Sequence, residues 1–292
     1  MPQHRMQTSL FLRRVAMIAG ACIVGLNVGA AETAPDPYAH AKTERHEMVE
    51  GLVRTMTAHI ESGKVSGVEL AEAYRHRAIA YNYLLDYRAA LADFDHAIEL
   101  NQLDAGYYED RAISYLKLRE FQKANTDLEM ALGLDSKRSS ARREKGRMAA
   151  YQGEFQQASN EFLRALSGTS GDATVYGAIW LHIAMTRAGH GTQSPLEAIT
   201  KPLDPQAWPW PVVQMLLGKT TPQDAVDAAT AGTTDDVLLR LCEANFYAGE
   251  QYLIQGDRER ARAAFEAAKA TQITDFVEYD WAVRELEQLD VH

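Results

Sequence analysis

Cysteine is nearly absent: the 292 residues include two, Cys22 and Cys242. Cys22 falls in a segment that reads as removable, and a single remaining cysteine excludes an internal disulfide. No nearby residue offers Cys242 an activating base, so it reads as a small buried hydrophobe. Blocks of basic residues are missing as well, and the formal net charge is −10. The chain therefore lacks the electrostatic footprint that non-specific nucleic-acid binding requires, and no nucleic-acid partner is expected. Phosphate loop, zinc helix and nucleophile elbow are all absent. No residue set reads as catalytic, metal-binding or cofactor-binding, so the expectation is a non-enzymatic protein.

Long apolar runs are also scarce. The one exception runs from Val15 to about Val28, after Arg5, Arg13 and Arg14 and before Gly29, Ala30 and Ala31, with no acid among them. That is the three-part layout of an export signal over residues 1–31, and it predicts a periplasmic or secreted mature chain. The run falls short of the roughly 20 residues a spanning helix prefers, and Asn27 interrupts it, which argues against a retained anchor. A lipid-modified Cys22 is the other rival. Small residues, Ala19, Gly20 and Ala21, precede it, but Ile23 and Val24 continue the apolar run where a mature lipoprotein turns polar.

What the chain does have is small residues at a fixed interval. Ala78, Ala112 and Gly146 are 34 apart, as are Ala90, Ala124 and Ala158, and Ala97, Ala131 and Ala165. Phe94, Leu128 and Phe162 keep the same interval, which is that of tetratricopeptide repeats. Small side chains let the two helices of a hairpin approach, the large residue fills the space between them, and the last alanine admits the next repeat. Three copies follow, 71–104, 105–138 and 139–172. A fourth, 242–275, places Gly249, Tyr252, Ala261, Phe265 and Ala268 in the same frame, one residue out of phase. Residues 173–241 read as degenerate helical repeats, 276–292 as a C-terminal helix, and 32–70 as a linker and capping helix. In that capping helix Met48, Leu52, Met56 and Ile60 recur every fourth residue. The predicted fold is all-α, helix-turn-helix repeats stacked in a right-handed superhelix.

The repeat frame predicts an inner face of Arg75, Ile79, Asn82 and Tyr83, then Glu109, Ile113 and Leu116, then Arg143, Arg147 and Tyr151. Three arginines there fit an anionic contact such as a partner's carboxylate. They equally fit internal salt bridges to Glu109 or Glu144. Trp208 and Trp210 form either a secondary docking ledge or a plug between the degenerate helices. Asp93, Asp95 and His96 lack the further ligands a metal needs and read as a solvated outer face.

The repeats resemble the tetratricopeptide superfamily over 71–172 and 242–275. Ile79 stands where the chaperone-tail carboxylate clamp has an asparagine, a departure from that function. A narrower likeness rests on "ERHEMVEGLVRTM", "AWPWPVVQMLLG", and "CEANFYAGEQYLIQGD" followed by "TDFVEYDWAVREL". These resemble the NlpI-type envelope repeat lipoproteins of bacteria. That resemblance implies a helical, commonly dimeric adaptor that presents cell-wall hydrolases to a tail-specific periplasmic protease. The partner expected is thus another envelope protein or peptide, with a homodimer as a further expectation. A structural part in a secretion, pilus or polysaccharide assembly is the alternative.

Overall fold

A computed structural model describes residues 36–167, 172–201, 204, 207–274 and 276–291. Residues 1–31, read above as an export signal, and Cys22 among them lie outside the described residues. Within them the chain is helical throughout, with no strand. The first helix, α1 (Ala39–Glu61), precedes three regular pairs: α2 (Gly67–Tyr83) with α3 (Tyr87–Leu100), α4 (Ala105–Lys117) with α5 (Phe121–Leu134), and α6 (Ser139–Tyr151) with α7 (Phe155–Leu166). Then come α8 (Asp172–Arg187), a 3-10 turn (Gly191–Gln193), α9 (Leu196–Thr200), α10 (Trp210–Leu216) and α11 (Pro222–Ala229). A fourth long pair, α12 (Thr234–Ile254) and α13 (Arg258–Ala270), leads to α14 (Val277–Val291). No described helix is long and apolar enough to cross a membrane.

Steric need explains the small residues. Ala78, Ala112, Ala90, Ala124, Ala158 and Ala261 are fully buried between paired helices, facing Phe94, Leu128, Phe162 and Phe265. Where glycine replaces alanine the ring sits deeper. A Cβ on Gly146 would lie 2.7 Å from the Phe162 ring, and one on Gly249 closer still to Phe265.

Each regular pair turns through one left-handed residue: Leu85 (φ 63°), Arg119 (φ 60°), Gly153 (φ 81°) and Gly256 (φ 79°). The next N–H reaches back five residues at 2.9 Å, from Asp86 to Tyr81, Glu120 to Tyr115, Glu154 to Ala149 and Asp257 to Tyr252. This closure satisfies carbonyls that the helix end would leave open. Two further turns of the same kind occur at Gly189 (φ 85°) and Gly218 (φ 70°), with His190 reaching Met185 and Lys219 reaching Gln214. Residues 173–241 thus contain two irregular helix pairs. Their unequal lengths combine to the one-residue phase shift of the last repeat.

The chain then folds back on itself. Trp281 of α14 is buried in an aromatic cluster with Trp180, Phe246 and Tyr151. The segment leading into α14 reaches the C-terminal ends of the inner helices α2 and α4. Thr274 bonds the Tyr83 carbonyl oxygen, and Lys117 donates to the Thr274 carbonyl at 2.9 Å and pairs with Asp280. At the other end, Ala41 of α1 packs with Leu238, Cys242 and Ile273, while Val49 packs on Ala80 and Tyr83. Met48, Leu52, Met56 and Ile60 are half-buried along α1.

Candidate protein-binding groove

The inner helices are joined by polar rungs about one repeat apart. Tyr107 donates to Glu72 at 2.7 Å, Arg75 Nε to Asp110 at 2.7 Å, and Ser114 to the Asn82 amide oxygen at 2.9 Å. In the next interval Arg138 and Ser140 both donate to Glu109, which is fully buried. These rungs account for much of the expected inner face. Arg75 is buried between Asp110 and Glu72. Burial opposes its charge, but the two carboxylates outweigh that and hold the guanidinium above its ordinary range. Arg147 donates to Glu144 at 2.6 Å and lies over the Trp180 ring. Arg143 is half-buried, Ile79 packs against the core of the first pair, and the Tyr83 ring lies beneath Arg45.

Ile113, Leu116, Arg147 and Tyr151 come together at one place. They line a cavity of about 330 Å³ formed by α4, α6, α8, α12, Phe276 and the first turn of α14. Its apolar walls also include Tyr176, Trp180 and Phe276, and its polar groups are Lys117, Glu144, Arg147, Glu243, Glu278 and Asp280. Both bases sit on carboxylates, Lys117 on Asp280 and Arg147 on Glu144. Glu243 accepts from the Tyr176 hydroxyl at 2.8 Å and the Trp208 indole at 2.5 Å. Glu278 is 5% exposed and accepts from the Tyr247 hydroxyl at 2.7 Å. Among the described residues no basic side chain lies within ion-pair distance of it. Burial pushes its carboxyl above the ordinary carboxylate range, partly opposed by Tyr247 and by the charge of Arg147. The cavity is therefore richer in carboxylate than in cation, and of the three inner arginines only Arg147 lines it.

The expectation of a solvated outer face at Asp93 is corrected. Asp93 is 4% exposed and grips Arg77 through two bonds of 2.7 and 2.8 Å. The pattern recurs one repeat later, where Arg111 forks onto Asp127 at 2.7 Å and also donates to Asp95 at 2.7 Å. A planar guanidinium fits this double contact. Lys145, a point donor one repeat further, pairs back to Glu129 instead. The signal was present in the sequence as bases at 77, 111 and 145 with acids at 93, 127 and 161. His96 packs its ring 4.9 Å from Tyr74, and the described residues contain no His, Cys, Asp and Glu grouping able to hold a metal.

Trp208 and Trp210 are half-buried against the large core, with the Trp208 indole N–H committed to Glu243 and Arg240 over its ring. Cys242 is fully buried.

No family model matches the chain. Among solved structures, the Rap conjugation gene regulator of plasmid pLS20, in complex with the Phr* peptide, aligns with a TM-score of 0.60 at 12% identity. The alignment covers 80% of this chain and 72% of that one. A tetratricopeptide repeat protein from Parabacteroides merdae aligns over 87% of this chain and 98% of that one, with a TM-score of 0.51 at 15% identity. The fold is a tetratricopeptide-repeat superhelix. Among the described residues, the turns at Leu85, Arg119, Gly153, Gly189, Gly218 and Gly256 each join two helices of a pair.

Proposed function

We propose that this chain is a non-enzymatic interaction scaffold of the bacterial cell envelope, holding a segment of another protein against the inner face of its repeats. The observation that carries the reading is the cavity where α4, α6, α8 and α12 meet the start of α14, because it is concave and sets convergent charged groups among apolar walls. The Rap regulator, which shares the fold, was solved with a peptide bound, and that supports a peptide-sized ligand here. The layout of residues 1–31 supports export. The finer role proposed within this reading follows the sequence resemblance to NlpI-type proteins: an adaptor that brings cell-wall hydrolases to a periplasmic tail-specific protease, with self-association through a terminal helix.

The test is affinity capture from bacterial envelope extract with residues 32–292, beside a variant carrying Ile113→Ala and Val277→Ala. Recovery of a protease or wall hydrolase that the variant loses supports the adaptor and its groove. Equal recovery by both chains moves the binding surface elsewhere, and retention of no envelope protein removes the scaffold reading.

A further inference from the structure

The cavity has a charge pattern that specifies its ligand more closely. Four carboxylates line it against two bases, and both bases already pair with Asp280 and Glu144. Glu278 is buried at the wall with a neutral hydroxyl as its side-chain donor and no cation in ion-pair reach among the described residues. A buried carboxylate without a counter-ion is unfavourable for folding, and a cation brought by a ligand would offset that cost. Glu243 lines the same cavity, oriented by Tyr176 and Trp208. Around these acids the walls are apolar, with Ile113, Leu116 and Trp180 available to the methylene stem of a long side chain. Ile113, Phe276 and Val277 are half-buried, so the cavity communicates with solvent along that edge.

Building on the interaction-scaffold reading, we infer that this cavity is an anchor pocket for a basic side chain, lysine or arginine, on the partner's docked segment, with Glu278 and Glu243 receiving the charge. Two of the three inner arginines, Arg75 and Arg147, are already held by the chain's own acids. A protein of net charge −10 also attracts a basic segment over distance.

The test titrates residues 32–292 with acetylated, amidated Ala-Ala-Lys-Ala-Ala and with its arginine, norleucine and glutamate versions, following the indole N–H signals by NMR. The lysine and arginine peptides are expected to shift Trp180, with the norleucine and glutamate peptides at least about tenfold weaker, the scale of a lost charge-assisted contact. Glu278→Gln keeps an acceptor for Tyr247 and is expected to weaken the lysine peptide by a similar factor while leaving the helical circular dichroism unchanged. If that variant does not fold, Glu243→Gln replaces it, keeping an acceptor for Tyr176 and Trp208 and carrying the same expected loss of preference for lysine over norleucine. Equal binding of norleucine, or tighter binding of glutamate, overturns the basic-anchor inference and leaves the peptide groove standing. Equal binding of n-butylammonium makes this a small-amine site and overturns it too. No response to any peptide overturns it, and together with capture that ignores the cavity variants, removes the groove itself.

Discussion

The hydroxyl of Thr274 donates to the carbonyl oxygen of Tyr83 at 2.7 Å, across 191 residues of chain. Tyr83 ends α2, so the acceptor is one of the carbonyls a helix terminus leaves without an internal donor. A bond of this kind contributes about 1 kcal/mol, so Thr274→Val should lower stability by about that amount. Trp281→Ala, which empties the aromatic cluster beneath the same segment, should cost about 3–5 kcal/mol. Urea unfolding of both variants gives the comparison. Equal losses would mean that α14 is held by its polar ties rather than by its indole.

The left-handed turns separate backbone strain from packing. Leu85 adopts φ 63° where two other regular repeats use glycine, and the residue is 45% exposed. A non-glycine residue there is strained by about 1–2 kcal/mol, while glycine adds back part of that through unfolded-state entropy. Leu85→Gly should therefore stabilise the chain by up to about 1 kcal/mol, and Gly153→Ala or Gly256→Ala should destabilise it. Thermal melts of the three variants read the opposite signs.

Much of this architecture was legible because it is a matter of contact. The 34-residue interval survives where a methyl or a hydrogen must face Phe94, Leu128 or Phe162, and the same pattern recurs one residue out of phase at Phe265. Gly189 and Gly218 perform the same turn at unequal intervals, so a search for strict period passes over them. The placement of the segment entering α14 against the inner helices was not legible. Its contacts, such as Lys117 with the Thr274 carbonyl, join residues far apart in sequence and leave no local pattern. Arg75 was visible as an inner-face residue, but its partner Asp110 stands one residue beyond the repeat length, where the frame does not look.

Glycine at 249 is a packing requirement that one substitution can probe. Gly249→Ala drives a methyl into Phe265, an overpacking of about 1–3 kcal/mol. The second repeat shows the remedy, because Ala112 there faces Leu128. Adding Phe265→Leu to Gly249→Ala should recover part of the loss, with a favourable coupling in the double-mutant cycle. Additive losses would place the strain elsewhere on α12.

Acid should stabilise the closed chain. Glu250 is fully buried beside Arg187, and burial pushes its carboxyl up to about 7, opposed by Arg187 and reinforced by Glu285. The folded state thus holds a proton that the unfolded chain releases above the ordinary glutamate range, so this group's contribution falls as pH rises from about 4.5 to about 7. Glu278, also raised by burial, acts in the same direction. Unfolding at pH 5 and pH 8 should show higher stability at pH 5, and Glu250→Gln should narrow the difference. An unchanged difference in the variant would assign it to other carboxylates.

The forked arginines make the sharpest demand on residue type. Arg111 holds Asp127, which is buried, and Asp95 on the preceding helix pair, so one side chain serves both the hairpin and the stacking of repeats. Removing it with Arg111→Ala strands a buried carboxylate and should cost about 3–5 kcal/mol. Arg111→Lys tests geometry at constant charge. A single ammonium cannot reproduce the two-point contact with Asp127 while also reaching Asp95, and the next repeat already shows Lys145 turning to Glu129 rather than to its own hairpin's acid. The lysine variant should therefore retain the link to Asp95 and lose that to Asp127, falling between the arginine and alanine chains in stability. Full rescue by lysine would show that net charge, not the planar fork, sets the requirement.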